Sequence, residues 1–335
     1  MIQGSSLPKI TIITPSFNQG QYIEDTILSV INQGYPNLEY IIIDGASTDN
    51  TVEILKKYND KIDYWMSEKD RCHSEAINKG FRRATGEIIN WINSDDQLMP
   101  GALHKIAEYF IKYPDAVMVH GRIEYFGETK KYYSRNHSKR DIETKYVSHI
   151  CMPQPACFYK KQLIDEQGLT DETLLFSMDT DLFVRAGLHY KIVQVEDVFA
   201  RFRLHAASKS VSAFSEKFLT DNAVICSRVL KTLGAESAIE ELRSLGLYSE
   251  PTHLYNKPVR SFDSGKIIFY FLAHRLSTLH FRGDKKEFKR IFSHLLRKYT
   301  LLLLRSGKLL LFRLTLFMPR NFLHSLAIRK DSSPG

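Results

Sequence analysis

Over the first 110 residues, short apolar runs alternate with segments of helical period. Residues 9–15, Leu38–Asp44, 62–66 and 88–92 are brief and rich in β-branched or aromatic residues, and turn residues bound them, which predicts strands. Between the first two runs, Ile23, Ile27, Val30 and Ile31 fall on one helical face. Helices are also predicted over 51–58, 74–84 and 100–112, the last with Pro100 early in its first turn. Asp49 stands where it can cap the helix at 51–58. This alternation predicts an α/β domain with a mostly parallel sheet covered by helices on both faces. Residues 193–202 read as a further strand and 211–256 as helical. Between residues 121 and 140 lie Tyr125, Phe126, Lys130, Lys131, Tyr132 and Tyr133, a texture that suits strand core and equally suits the faces of sugar rings.

Composition narrows the class. With 335 residues, 43% hydrophobic and 25% charged, the chain resembles ordinary globular proteins and can hold one large or two modest domains. Cys72, Cys151, Cys157 and Cys226 have neither zinc-site nor disulfide-framework spacing, which points to a reducing compartment, and no secretory signal is visible at the start. The net charge of +8 is unevenly placed. Residues 257–335 hold 17 Lys+Arg against 4 Asp+Glu, so the preceding residues are net acidic, which argues against a nucleic-acid binder.

Two predicted strands close on acids: the second on Asp44 and the fourth, through Asn93-Ser94, on Asp95-Asp96. Open α/β sheets bind ligands at the carboxyl ends of their strands. Adjacent carboxylates repel unless a cation or hydrogen-bond donors compensate, and hard cations take one or two carboxylates plus substrate phosphate oxygens. A polar turn leading into the helix after Pro100 is the plainer alternative. No GxGxxG follows the first strand and no GxxxxGK[ST] occurs, so the dinucleotide and P-loop fingerprints are absent.

Six ordered stretches then carry a resemblance. They are Thr14-Pro-Ser-Phe-Asn18, Asp44-Gly-Ala-Ser-Thr-Asp-Asn-Thr51, Ser67-Glu-Lys-Asp-Arg71 with Ala76-Ile-Asn-Lys-Gly80, Asn93-Ser-Asp-Asp96, Gln154-Pro-Ala-Cys-Phe158 and Met178-Asp-Thr-Asp-Leu-Phe-Val-Arg185. Over about residues 8–210 the chain resembles glycosyltransferase family 2, the inverting nucleotide-sugar enzymes of GT-A fold. The resemblance implies that Pro15, Ser16, Phe17, Asp44, Arg71 and Asp95 face the donor nucleotide, and that Asp96 ligates Mg²⁺ or Mn²⁺. It places Gln154 on the acceptor side, and Arg203, His205 and Lys209 in a segment over the diphosphate, with His205 a candidate metal contact. An acceptor hydroxyl needs a general base. The family pattern puts that base at Asp179, with Met178 where a Glu is usual; Asp181 either shares the role, caps the helix or holds Arg185 at i+4. Cys72-His73 departs from the usual Gly-Gln, and His73 reads as a helix-entry or surface residue.

The expected layout is a catalytic domain over 1–210, a helical packing segment over 211–263 and a basic helical tail over 264–335. In the tail no run of 18 uncharged residues exists, so a spanning helix is not expected. Arg290, Arg297, Lys298, Arg305, Lys308 and Arg313 fall on one half of a helical wheel, and Leu296, Leu303, Leu304, Leu310, Leu311 and Leu314 on the other. That pattern is read as a tail lying on the surface of an anionic membrane; the alternative is a helix packed on the catalytic domain with a solvated basic face. The reading overall is a metal-dependent sugar transfer to a glycan, lipid-linked, in surface polysaccharide assembly at the cytoplasmic membrane face. A sugar nucleotidyltransferase and a non-catalytic membrane scaffold are the alternatives.

Overall fold

A computed structural model of the chain describes residues 7–127, 131–149, 151–205, 216–258 and 260–306. The chain forms two compact units: among the described residues, one holds 7–139 and 151–205, the other 140–149 and 216–306.

The first unit begins with β1 (Ile10–Ser16), α1 (Ile23–Ile31), β2 (Leu38–Asp44), α2 (Thr51–Lys57), β3 (Tyr64–Ser67), α3 (His73–Arg83) and β4 (Ile88–Trp91). A two-residue β5 (Gln97–Leu98), α4 (Ala102–Lys112), the long β6 (Ala116–Gly127) and β7 (Tyr132–Tyr133) follow. After α5 (Ile142–Tyr146), which belongs to the second unit, come β8 (Cys157–Lys160), α6 (Gln162–Gln167), α7 (Met178–His189) and β9 (Lys191–Leu204). The sheet order is β3-β2-β1-β4-β8-β6-β9-β5, with β7 on the side of β6. The first four strands are mutually parallel, and β6 and β9 run the same way; β5, β7 and β8 run against them. The mostly parallel α/β sheet expected from the sequence is therefore present.

Every residue of β1 is buried, as a strand covered on both faces requires. Ile10, Ile12, Ile23, Ile27, Ile42, Leu103, Ile106, Phe158 and Phe199 form the core beneath it, each inaccessible to solvent. On α3, Gly80 lets the helix close on β1, since a Cβ there would stand 2.4 Å from Ile13 Cγ2. Register levels the carboxyl ends: Ser16 pairs with Asp44, and Asp44 with Ser67. The parallel pair β6/β9 carries register shifts around His120 and Arg122, and beyond them continues to Phe126↔Arg203 and Gly127↔Leu204. That extension brings the end of β9 beside the segment that follows β4.

The second unit is helical: α5 with α8 (Glu216–Thr232), α9 (Glu236–Ser244), α10 (Ser264–Arg282), α11 (Lys285–Lys298) and α12 (Thr300–Arg305). Asp263 caps α10 by accepting from the Lys266 N–H, and Gly283 ends it at φ 76°, a left-handed stop. Residues 267–273 are all buried, so α10 is the unit's core helix. The apolar stripe of α11, Phe288, Ile291, Phe292 and Leu295, is buried as well. The Glu241 carboxylate is buried and accepts from Lys298 Nζ at 2.7 Å and Tyr299 Oη at 2.8 Å, with His294 Nε2 at 2.6 Å. These three donors hold it below the usual carboxylate range against the opposing cost of burial.

The described part of the basic tail is thus packed within the helical unit and does not present a free amphipathic face. The reason is that Phe288 and Ile291 extend the apolar side of α11 beyond the leucines, and that Arg290 and Lys298 have partners in Glu287 and Glu241. Leu301 and Leu304 stay exposed. Lys308, Leu310, Leu311, Arg313 and Leu314 lie outside the described residues. Among the described residues no helix is long and apolar enough to cross a membrane.

The tight approach of α3 to β1 generates a test. Gly80→Ala should destabilise the first unit by about 1–3 kcal/mol, the usual cost of overpacking a closed interface. Urea unfolding followed by Trp65 and Trp91 fluorescence measures it, and an unchanged midpoint would show that the helix can shift without penalty.

Candidate active site

At the carboxyl edge, the loops after β1 and β2 are laced together. The Gly45 N–H donates to the Ser16 carbonyl at 2.8 Å, the Asn18 N–H to Ser47 Oγ at 2.7 Å and the Thr48 N–H to Asn18 Oδ1 at 2.8 Å. Asn18 takes a left-handed φ of 51°, a conformation asparagine tolerates better than most residues. Asp44 is fully buried, and its carboxylate accepts from the Ser47 N–H, the Ser47 hydroxyl and the Ser67 hydroxyl. It ties the ends of β2 and β3 together. Pro15 and Ser16 are buried behind this lacing, whereas the Phe17 ring is 59% exposed at the rim. Asp49 accepts from the Thr51 N–H at 3.0 Å and the Gly20 N–H at 2.9 Å, so it caps α2 from one residue before the N-cap position.

Arg71 is exposed and bridges two acids, Glu75 through Nε at 2.9 Å and Glu172 through Nη2 at 2.7 Å. His73 is the first residue of α3, in keeping with the helix-entry reading. Asn78 fixes the segment before α7 by accepting from the Thr170 N–H at 3.0 Å and donating to the Thr170 carbonyl at 3.0 Å.

The acid pair follows β4. Asp96 is 1% exposed, and its Oδ1 accepts from the Arg203 N–H at 3.0 Å. Its Oδ2 is sealed from solvent with no hydrogen-bond partner among the described residues. Burial first, and the neighbouring Asp95 carboxylate second, hold the Asp96 carboxyl well above the usual range. His205 Nε2 lies 3.0 Å from Asp95 Oδ2, and Arg203 Nε donates to the Asp95 carbonyl at 2.9 Å. Asp95, Asp96, Arg203 and His205 therefore converge, as their assignment to one region requires. Among the described residues no group of three or more His, Cys, Asp or Glu is placed to hold a metal ion. A carboxylate oxygen left buried and unpaired nevertheless fits a hard cation that completes its shell with phosphate oxygens. Lys209 lies outside the described residues.

The two acids of α7 differ. Asp181 is buried and paired with Arg185 at 3.0 Å, while Arg185 also donates to the carbonyls of Gln167, Gly168 and Leu169. Asp179 makes no ion pair among the described residues; its Oδ1 accepts only from Thr180. It keeps some exposure, yet lost hydration pushes its carboxyl up to about 6, where a general base is useful near neutral pH. Phe183, one turn further along α7, stacks on Trp91 of β4 with centroids 6.4 Å apart. Gln154 is buried, and its Nε2 donates to the Trp91 carbonyl at 2.7 Å. The 154–156 turn and α7 thus meet the end of β4, next to the acid pair in sequence.

The sequence reading missed the polar side of α1. Thr26 Oγ1 donates to the Asp96 carbonyl at 2.6 Å, Ser29 Oγ accepts from the Leu98 N–H at 3.0 Å and Gln33 Nε2 donates to the Met99 carbonyl at 3.0 Å. Asp25 adds an ion pair with Arg203 at 2.7 Å. These residues, spaced by three or four, seat the segment from Asp96 to Met99. Their spacing was the available signal, but a polar stripe opposite an apolar one ordinarily faces water.

Comparison with known proteins agrees with this geometry. The family model for glycosyl transferase family 2 matches residues 11–168. An uncharacterized glycosyltransferase of Rickettsia typhi is 27% identical over 249 residues, covering 71% of this chain and 77% of that one. The GalNAc(5)-diNAcBac-PP-undecaprenol beta-1,3-glucosyltransferase of Campylobacter jejuni is 28% identical over 173 residues, half of this chain and 56% of the relative. Among solved structures, TarS 1–349 of S. aureus in complex with UDP-GlcNAc has a TM-score of 0.55 at 18% identity, covering 81% of this chain and 72% of that one. The mannosyltransferase PcManGT from Pyrobaculum calidifontis, in complex with GDP-Man and Mn²⁺, has a TM-score of 0.59 at 16% identity over 97% and 87% of the two chains. With its carboxyl-edge acids on a sheet of this topology, the chain carries a glycosyl transferase family 2 domain over residues 11–168 and is a glycosyltransferase of GT-A fold.

Proposed function

We propose that this enzyme moves one sugar from a nucleoside-diphosphate sugar to a lipid-linked glycan, with inversion and with Mg²⁺ or Mn²⁺ at the acid pair. The observation that carries this reading is the buried Asp96 carboxylate with one oxygen unpaired, beside Asp95, at the end of a parallel strand. Asp96 would hold the cation, with His205 and Asp95 alongside. Bound there, it would neutralise charge growing on the leaving diphosphate. Pro15, Ser16 and Phe17 would border the nucleotide; Asp44, which holds the loop beside them, would lie behind the base or ribose, and Arg71 would face the base. The nucleotide-sugar complexes of TarS and PcManGT support a donor of this class, and the cation bound to PcManGT supports the metal.

Asp179 would take the proton from the acceptor hydroxyl as its oxygen attacks the anomeric carbon. The bond from that carbon to the diphosphate oxygen breaks, and its electron pair leaves with the nucleoside diphosphate. One base and one leaving group suffice, so the displacement is single and inverts the centre. Gln154 would lie toward the acceptor. Asp181, committed to Arg185, would position α7, and the diphosphate side would fall to Arg203 and, as the resemblance implies, Lys209. The undecaprenol-linked substrate in the name of the Campylobacter relative supports a lipid-linked acceptor, and the name of a Bacillus subtilis relative, a putative teichuronic acid biosynthesis glycosyltransferase, supports polysaccharide synthesis. Residues 307–335 hold five Lys+Arg against one acid, which suits peripheral attachment to the anionic inner face of the plasma membrane.

Asp96→Asn should abolish Mn²⁺-dependent stabilisation by UDP or GDP in a thermal-shift titration, where a ligand stabilises by mass action. An unchanged shift would remove Asp96 from the cation site. Asp179→Asn should keep that shift and lower transfer by roughly 10²–10⁴-fold, the usual range for a general base. The wild-type rate should fall on the acid side as pH drops through about 6. An Asp whose carboxyl is pushed up on folding costs stability once ionised. Asp179→Asn should therefore raise the melting temperature above pH 6 and leave it unchanged below pH 4. Asp181→Asn should instead lower the melting temperature by leaving Arg185 buried without its counter-charge; a loss of transfer with unchanged melting would move the base to Asp181. Truncation after residue 306 should release the protein from phosphatidylglycerol vesicles in co-sedimentation, and continued binding would exclude the tail as the anchor.

A further inference from the structure

Tyr22 occupies the N-cap of α1, a position that helices give to Ser, Thr, Asp or Asn because a short side-chain oxygen can satisfy a free N–H. It makes no side-chain cap bond. A local rule broken without local compensation points to a role elsewhere in the fold. The Tyr22 ring centroid lies 4.8 Å from the Arg203 guanidinium carbon and 4.7 Å from the His205 ring centroid, at an interplanar angle of 44°. These are the two side chains that the end of β9 sends to the acid pair: Arg203 Nε to the Asp95 carbonyl, and His205 Nε2 to Asp95 Oδ2.

We propose that Tyr22 is a positioning residue for the acid pair, fixing Arg203 and His205 as they grip Asp95 and thereby setting the cation affinity of the donor site. This rests on the pair being that site. The contacts differ in weight. The Asp25 side chain is 54% exposed, and an ion pair so wetted contributes little. The Arg203 side chain is only 16% exposed, so its attraction to the tyrosine face is less screened. Phe126, with its ring centroid 4.6 Å from the guanidinium carbon, adds a second aromatic contact. Removing the Tyr22 ring would return rotamer freedom to a long cation and an imidazole at once. The Asp95 carbonyl and carboxylate would then lose fixed partners, and Asp96 would lose its regular neighbour.

The test is a Mn²⁺ titration of the full chain with saturating UDP and, separately, GDP, with free Mn²⁺ read by electron paramagnetic resonance. Tyr22→Leu should weaken Mn²⁺ binding roughly tenfold or more, the common cost of losing an outer-shell support. Its ligand-free melting temperature should stay near that of the wild type. Tyr22→Phe, which keeps the ring, should restore wild-type affinity, and Asp25→Asn should cost less than threefold. Arg203→Lys, which keeps the charge but loses the planar face, should reproduce the Tyr22→Leu loss, so the proposal remains testable even where Tyr22→Leu does not fold. Wild-type affinity in Tyr22→Leu or Arg203→Lys would overturn the proposal, as would an Asp25→Asn loss equal to that of Tyr22→Leu. A wild-type chain that binds no Mn²⁺ with either nucleotide would overturn the site reading itself.

Discussion

The carboxyl edge of the sheet depends on keeping two adjacent carboxylates together, one of them sealed from water and the other partly exposed. Asp96 is buried, Asp95 is next to it, and their repulsion raises the cost of ionising Asp96. The surroundings offset part of that cost with fixed donors. The Arg203 N–H reaches one Asp96 oxygen, Arg203 Nε the Asp95 carbonyl, and Thr26 the Asp96 carbonyl. The Asn93 side chain also acts to keep the Asp96 carboxyl ionised, and Asp96 Oδ2 is left buried without a hydrogen-bond partner among the described residues, a place that a cation would complete.

The rest of the first unit serves this constraint. Beyond its register shifts, β9 stays paired with β6 as far as Leu204, which carries Arg203 and His205 to the pair. From the other side, Thr26 and Ser29 of α1 and Gln33 just beyond its end line the segment that follows Asp96. Gly80 lets α3 close on β1, and Asp44 locks the ends of β2 and β3 with two serines. The edge is therefore preorganised by backbone and buried polar groups, which is the property that electrostatic catalysis requires.

The α7 carboxylates illustrate how environment assigns roles to like residues. Asp179 and Asp181 are two positions apart, yet Arg185 neutralises only the second. A buried ion pair ties Asp181 to Arg185, whereas the first, with Thr180 as its donor and no ion pair among the described residues, is left as a carboxyl that holds its proton more tightly. The buried Glu241 does for the helical unit what Asp181 does for α7. It gathers His294, Lys298 and Tyr299 and so fixes α11 against α9.

Period and punctuation by themselves determined the α/β architecture, because a strand buried on both faces must read as a continuous apolar run and a covering helix must show a stripe. They also placed Asp44 and the Asp95-Asp96 pair at strand ends, and motif order supplied the family. The choice between Asp179 and Asp181 as the base needed coordinates: i+4 spacing offers Arg185 to Asp181, but only the fold shows that pair buried and Asp179 without an ion pair among the described residues. The polar stripe of α1 reads as a solvated face until the strand edge descends upon it, and Arg290 and Lys298 of α11 read as free until Glu287 and Glu241 are seen beside them. In each case the sequence specifies which groups are available, while long-range packing specifies which of them water is excluded from, and that exclusion gives a charge or a hydroxyl its role.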